Sequence, residues 1–304
     1  MALPYRWQTR IERWKNSFRG LFSGGDRQPR PKLCPACNAL VGVSATRCHE
    51  CGTNLTFSLA ALTKKLAGVT GLNAPVSTIF LGLNFLLFAV QLMFTMQAGQ
   101  AGGLSILWRL DGISSYRLGA IFGPSVLFDH QFWRLITAMF LHGGLIHIGF
   151  NMMALMQFGP ALEELYGSPR FLFLYTVTGA FGFLLSSVAG HFSLGASGAL
   201  LGVMGAILAI TTKRGGAYMR DLRSRLISSL VFLFALGIFG GIGIDNWAHG
   251  GGLAAGFLLG KLFVDREPMN KSERVRAQLL GWLAGLAVIA SFVLMLLHFH
   301  DPVS

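Results

Sequence analysis

Charge is what this sequence has least of. Only 12% of its 304 residues are Asp, Glu, Lys or Arg, where soluble globular proteins carry about a quarter. With 53% hydrophobic residues and a mean hydropathy of +0.55, that shortage excludes a soluble enzyme, a disordered chain or a nucleic-acid-binding module as the main identity. Acidic residues are the scarcer kind, 13 against 25 basic ones. The resulting +12 has to be mapped onto the chain before it signals an anionic partner. The first 30 residues are polar and basic and lack an apolar run, so a cleavable secretory signal is not expected there.

What is abundant is apolar length. A helix crossing a hydrocarbon layer of roughly 30 Å needs about 20 largely apolar residues. Seven stretches meet or approach that: 76–96, 133–158, 171–190, 196–211, 226–244, 247–264 and 279–297. The fourth and sixth are short, but their glycines suit close packing inside a bundle. If the seven alternate, 22 of the 25 basic residues fall on one side. The other side keeps Arg109, Arg117 and Arg134. By the positive-inside rule the N-terminus is predicted cytoplasmic and the C-terminal tail outside. The expected setting is a bacterial inner (plasma) membrane.

The four cysteines stand together as Cys34-Pro-Ala-Cys37 and Cys48-His-Glu-Cys51. Two CxxC knuckles ten residues apart match a four-thiolate zinc ribbon, with Pro35 and Gly52 suited to the knuckle turns. Disulfides or a redox pair are the competing readings, and a reducing cytoplasmic location argues against both. His49 lies inside a knuckle as a spectator. Zinc here is structural, since so small a unit depends on metal for its fold. Partner docking and positioning of the membrane domain both remain open as its role. Before it, basic residues interleave with Trp7, Trp14 and Phe18, a pattern suited to lying on anionic lipid. The predicted organisation is a basic amphipathic segment (1–30), the ribbon (31–56), a linker (57–74), a six-helix core (75–264), and a loop with a seventh helix (265–304).

Polar groups inside a membrane span are costly and mark function. Span two carries His142, His147 and Asn151; span four opens on Gly195-Ala196-Ser197-Gly198; span six opens on Ala248-His249-Gly250. All three spans run inward from the outer side, so these groups share one depth. His249, Gly252, Gly256 and Gly260 lie on one helix face, and Gly198, Gly202, Gly205 and Ala209 form a small-residue stripe on span four. Close approach of the two stripes would bring His249 to Ser197. His147 and Asn151, four apart, point the same way. His142 is roughly 140° round and suits a loop or helix-end contact. The pattern fits nucleophilic catalysis without a metal: Ser197 as nucleophile, His249 as its base, and His147, Asn151 and the Ser197 N–H as oxyanion donors. No buried Asp sits at a suitable depth, and Asp245 lies at the helix mouth, so a dyad rather than a triad is predicted.

These residues resemble the rhomboid intramembrane serine proteases. The resemblance runs from 132 to 260, through Trp133-Arg134, HGGLIHIGFN (142–151), GPALEELYGSPRF with Glu163, GASGALLGVMG and AHGGGLAAG. It implies an all-α polytopic membrane protein with a six-helix rhomboid core plus a C-terminal seventh transmembrane helix, here preceded by the zinc ribbon. It assigns Ser197 and His249 to catalysis, His147 and Asn151 to the oxyanion hole, and structural roles to His142, Arg134 and Glu163. The loop at 108–132 resembles the family's half-submerged lateral loop. One departure is Leu201, where many relatives place an aromatic that stacks on the base. The implied activity is cleavage of single-span membrane-protein substrates within the lipid bilayer, with no nucleic-acid partner and no catalytic cofactor. The alternative is a catalytically inactive rhomboid-like protein that binds membrane clients. Such relatives typically lack the Ser or His, and both are present. A proton-relaying transporter predicts mid-depth charges and paired half-helices, which the sequence does not show.

Overall fold

The computed structural model describes residues 32–34, 39–42, 44–50, 52, 54–55, 74–99, 103–240, 243–263 and 265–300. The basic segment 1–30, all but the last residue of the linker, and Cys37 and Cys51 lie outside the described residues. Seven long helices follow one another: α1 Pro75–Gln97, α2 Leu145–Tyr166, α3 Ser168–Val188, α4 Ser197–Lys213, α5 Ala217–Phe239, α6 Asn246–Leu262 and α7 Lys271–Leu297. Five of them (α1, α2, α3, α5 and α7) are long and apolar enough to cross a membrane. The other two have 17 residues each, roughly 25 Å at the helical rise. The described strands are two-residue pieces: β1 Lys32–Leu33 pairs with β2 Leu40–Val41, and β3 Ile121–Phe122 with β4 Phe192–Ser193, both antiparallel.

Two span boundaries differ from the hydropathy reading. Span two was expected from residue 133, but α2 begins at Leu145. The stretch before it holds a short helix Arg134–Thr137 and a 3-10 turn Ala138–Phe140, then turns extended at Leu141. Gly144 is extended too, and a Cβ there would lie 2.6 Å from the Trp108 carbonyl carbon. Span five was expected over 226–244, yet α5 starts at Ala217 and ends at Phe239. Its first turns are polar but good helix formers, with an Arg225–Asp221 pair one turn apart.

Buried polar groups fix how the helix ends meet. Glu163, in the last turn of α2, accepts from the N–H groups of Val76 (2.9 Å) and Ser77 (2.8 Å), and from the hydroxyls of Ser77 (2.8 Å) and Ser168 (2.7 Å). One carboxylate thus caps the orphan donors at the start of α1 and ties them to the start of α3. Lys213, ending α4, donates to the carbonyls of Gly260 (2.9 Å) and Phe263 (2.8 Å) at the end of α6. Arg214 pairs with Asp265 at 2.6 Å and holds its carboxyl below the usual carboxylate range. Arg170, opening α3, donates to the Arg266 carbonyl at 3.0 Å, and Arg266 pairs with Glu273 in the first turn of α7 at 2.9 Å. Starts of odd-numbered helices and ends of even-numbered ones therefore share one charged end of the bundle. The helices alternate in direction.

The core is built on α3, α4 and α6. A Cβ on Gly252 would overlap the Gly198 carbonyl oxygen, one on Gly256 the Gly202 carbonyl oxygen, and one on Gly260 would come within 2.8 Å of the Ala206 Cα. Only bare backbone allows this approach, the small-residue packing expected in lipid. α7 packs on α3 and on the turn at Arg134–Thr137, with Phe292 tilted against Phe140 at 5.6 Å. α5 stands apart and leaves Val231, Phe232, Ile238 and Phe239 exposed. Leu86, Phe150 and Leu296 are exposed as well. An outer surface this apolar suits hydrocarbon and would aggregate in water.

The chain between α1 and α2 folds onto the opposite end. Arg134, 3% exposed, donates to the carbonyls of Tyr116 and Ala120 and to the Gln131 side chain, with its guanidinium 3.9 Å from the Tyr116 ring centroid. Every one of those partners belongs to this loop or to the turn that Arg134 opens. Its role in the structure is to hold the loop's shape.

Candidate active site

Ser197 is the first residue of α4, so its N–H has no intrahelical acceptor and its hydroxyl stands at a helix N-terminus. His249 lies in the first turn of α6 and is 4% exposed. The glycine contacts between these helices bring the two side chains together, with His249 Nε2 2.7 Å from Ser197 Oγ. Among the described residues, His249 Nδ1 has no hydrogen-bond partner. Ser197 and His249 form a hydrogen-bonded pair, and among the described residues no carboxylate is bonded to the imidazole.

The start of α6 is set by Asp245. Its Oδ1 accepts from the N–H groups of Trp247 and Ala248, both at 3.0 Å, and its Oδ2 accepts from the hydroxyl of the fully buried Ser186 on α3. This N-cap anchors the turn that carries His249, whose own N–H donates to the Asp245 carbonyl at 3.1 Å.

His147 completes the group from α2. Its Nδ1 accepts from the Gly143 N–H at 3.2 Å, which leaves the proton of the neutral ring on Nε2. That atom faces Gly195, where a Cβ would sit 2.7 Å from both Cε1 and Nε2 of His147 and 3.8 Å from Ser197 Oγ. Gly195 also has φ +129, and its N–H donates to the Ala138 carbonyl at 2.9 Å. Glycine is needed there for both space and backbone. Asn151, 5% exposed, donates through Nδ2 to the His147 carbonyl at 2.9 Å. An amide nitrogen carries two protons, so one remains for a ligand.

The structure thus brings together Ser197, His249 and His147, with Asn151 one turn further along α2. His142 stays out of the group. Its ring stands edge-on to His147 at 5.2 Å, and its backbone N–H donates to Gln91 Oε1 at 2.9 Å. Gln91 also donates to Ser115 at 3.0 Å, so this fully buried α1 side chain joins the loop to the segment that positions His147. Arg134 and Glu163 lie at opposite ends of the bundle, each holding backbone. Leu201 is buried with Met204, Leu226 and Leu230. The aromatic ring beside His249 is instead Phe234 on α5, with centroids 6.3 Å apart and rings at 89°. Gln91, Ser186 and Phe234 were not singled out from sequence. Buried glutamines in apolar spans are a usable signal; one phenylalanine among 25 is not.

In the N-terminal unit, Cys34 and Cys48 are buried together with Val41. Turns close at both: the Cys34 N–H donates to the Ala39 carbonyl at 2.8 Å, and the Gly52 N–H to the Cys48 carbonyl at 2.9 Å, with Gly52 at φ +69.

Fold and site define a polytopic helical membrane protein that buries a hydrogen-bonded serine and histidine near one end of its bundle. The chain belongs to the rhomboid family. A Rhomboid domain model matches residues 129–266. The chain is 34% identical to the putative rhomboid protease YdcA of Bacillus subtilis over 196 residues, covering 64% of this chain and 90% of that one. It is 40% identical to RHOMBOID-like protein 6, mitochondrial, of Arabidopsis thaliana over 166 residues, 53% of this chain and 52% of the relative. It is also 37% identical to the rhomboid protease GluP of Bacillus subtilis, over 44% of this chain and 26% of GluP. The chain thus spans about half of the plant relative and about a quarter of GluP.

Proposed function

We propose that this chain is an intramembrane serine endopeptidase that cleaves transmembrane segments of single-span membrane proteins through a Ser197–His249 dyad. The observation that carries this reading is the 2.7 Å contact between Ser197 Oγ and His249 Nε2, made between two helices whose glycines permit backbone contact. Family membership and the relatives named as rhomboid proteases support it.

In the proposed reaction His249 Nε2 takes the Ser197 proton as Oγ adds to the scissile carbonyl. The oxyanion is met by His147 Nε2–H, the Ser197 N–H and the remaining Asn151 proton. Collapse transfers the His249 proton to the leaving amine and leaves an acyl-enzyme on Oγ. Water, deprotonated by the same imidazole, then releases the acid and restores Ser197. The substrate helix has to unwind locally, because an intact helix keeps its carbonyls hydrogen-bonded.

We further propose that the charged end faces the cytoplasm, since most Lys and Arg gather there, and that the dyad lies in the outer half of the bilayer. A bacterial inner membrane is the setting this reading favours. Cys34, Cys37, Cys48 and Cys51 would hold one zinc; the shared burial of Cys34 and Cys48 and the turn at Gly52 fit a pair of knuckles. Zinc would organise the ribbon's fold and take no part in peptide cleavage.

The test is cleavage of a single-span reporter in proteoliposomes by the wild type, Ser197→Ala and His249→Ala. Cleavage by the wild type alone supports the reading. Cleavage that survives Ser197→Ala overturns it. A wild type that binds the reporter without cutting it would favour the client-binding alternative.

A further inference from the structure

We propose that Phe234 is a positioning residue for the base: the seating of α5 on α6 sets the orientation of the His249 imidazole through its perpendicular contact with the Phe234 ring. The inference rests on the proposed Ser197–His249 chemistry and adds a control over it.

Three features meet at one level of the bundle. The first is the state of the imidazole itself. His249 Nε2 reaches Ser197, while Nδ1 finds no hydrogen-bond partner among the described residues. An imidazole held at one nitrogen can still swing about its χ angles, so packing has to fix its plane. In serine hydrolases with a triad, a carboxylate on Nδ1 does this work. The second is the ring at its side. Phe234 meets His249 at 6.3 Å and 89°, inside the range where an edge-to-face pair attracts.

The third is how Phe234 is held. α5 is the least buried of the five apolar spans, with Val231, Phe232, Ile238 and Phe239 exposed. Between it and α6 runs an apolar groove of about 440 Å³, lined by Leu230, Val231, Phe234, Ile238 and Leu253. Packing along the groove is incomplete, yet at its end the helices are clipped. Asn246 Nδ2 donates to the Phe234 carbonyl at 3.3 Å, and a Cβ on Gly237 would come within 2.8 Å of the Asn246 Cγ. Asn246 stands three residues before His249 on the same helix. The backbone of Phe234 is therefore fixed to the turn that its ring steadies. Moving α5 away would break the clip and remove the ring in one step, leaving Ser197 in place and the base free to turn.

The experiment uses the full chain in proteoliposomes, with steady-state cleavage of the reporter and the labelling rate of Ser197 by a small fluorophosphonate. Phe234→Leu keeps apolar bulk and removes the ring. It is expected to lower kcat roughly three- to tenfold, the worth of an aromatic pair, with KM within about twofold by the logic of an interaction that acts on the chemical step. Labelling is expected to slow in parallel, since the probe is too small to need α5 for its own binding. Phe234→Tyr, which keeps the ring, should recover most of kcat. Asn246→Ala, which releases the clip, should lower kcat in the same direction with the Phe234 ring present. Phe234 is only partly buried, so the leucine variant is expected to fold, and Asn246→Ala tests the same link independently. A Phe234→Leu enzyme with wild-type kcat and labelling overturns the proposal. So does a rise in KM alone, which would make Phe234 a substrate contact, or a tyrosine variant as slow as the leucine one. Failure of the underlying reading looks different: the wild type itself would neither cleave nor label.

Discussion

Gly252 on α6 and Gly198 on α4 are in backbone contact, so close that a methyl group on Gly252 would overlap the Gly198 carbonyl oxygen. Gly198 follows Ser197, and Gly252 lies three residues after His249. The spacing of the two helices and the reach of the imidazole are therefore one quantity. Gly252→Ala is expected to push the helices apart, lengthen the Ser197–His249 contact and destabilise the fold by about 1–3 kcal/mol, as overpacking does. Thermal unfolding in detergent and reporter cleavage should both fall. Gly149→Ala is the comparison. Its Cβ would meet nothing within 4 Å, and alanine there should be neutral or stabilising by up to roughly 1 kcal/mol.

Glu163 satisfies four donors from α1 and α3 at the charged end, remote from the dyad. Glu163→Ala is expected to strand those buried donors at a cost of about 1–3 kcal/mol for each one left unpaired. The unfolding temperature should drop well below wild type. Activity per folded molecule, normalised by fluorophosphonate labelling, should hold below that temperature.

The stripes of glycine and the placement of Ser197, His249 and His147 were legible in the sequence, because helical spacing turns small and polar residues into faces. So was a run of long helices, five of them apolar and long enough to cross a membrane. The start of α2 was not legible. Hydropathy runs through Leu141 to Gly144 without a break, whereas the backbone is extended there and returns the Gly143 N–H to His147. The first two turns of α5 were missed for the opposite reason: Arg220, Asp221, Arg223 and Arg225 form helix readily but fail an apolarity test. Phe234 could not be found at all. The ring beside His249 comes from a neighbouring helix, and one sequence does not say which phenylalanine faces inward.

Protonation at His147 follows from Gly143. With Nδ1 accepting, Nε2 carries the hydrogen that an oxyanion needs. His147→Ala is expected to lower kcat on the order of 10²–10³-fold, the usual loss for one oxyanion donor, with KM little changed. Steady-state kinetics with the reporter would show it. A change in KM alone would move His147 to substrate binding.

Asp245 caps the helix that carries His249, and it is predicted to act on the proposed dyad through that helix. Asp245→Ala removes the acceptor for Trp247, Ala248 and Ser186 and should destabilise by about 1 kcal/mol, as lost N-caps do. Asp245→Asn keeps an Oδ1 acceptor and should recover most of that stability. If the cap rather than the charge matters, kcat will recover with it.

In the N-terminal unit, the pair Cys34→Ser and Cys37→Ser is expected to abolish bound zinc by elemental analysis. The fluorophosphonate labelling rate of Ser197 should be unchanged. Metal content that survives both substitutions would contradict the ribbon.

In the proposed reaction His249 makes Ser197 a nucleophile. The most direct measurement of this is the intact mass of the full chain after fluorophosphonate treatment, with the modified peptide located by fragmentation. One adduct is expected, on Ser197, in the wild type, and none in His249→Ala. An adduct on another residue, or labelling of Ser197 at the wild-type rate without His249, would contradict it.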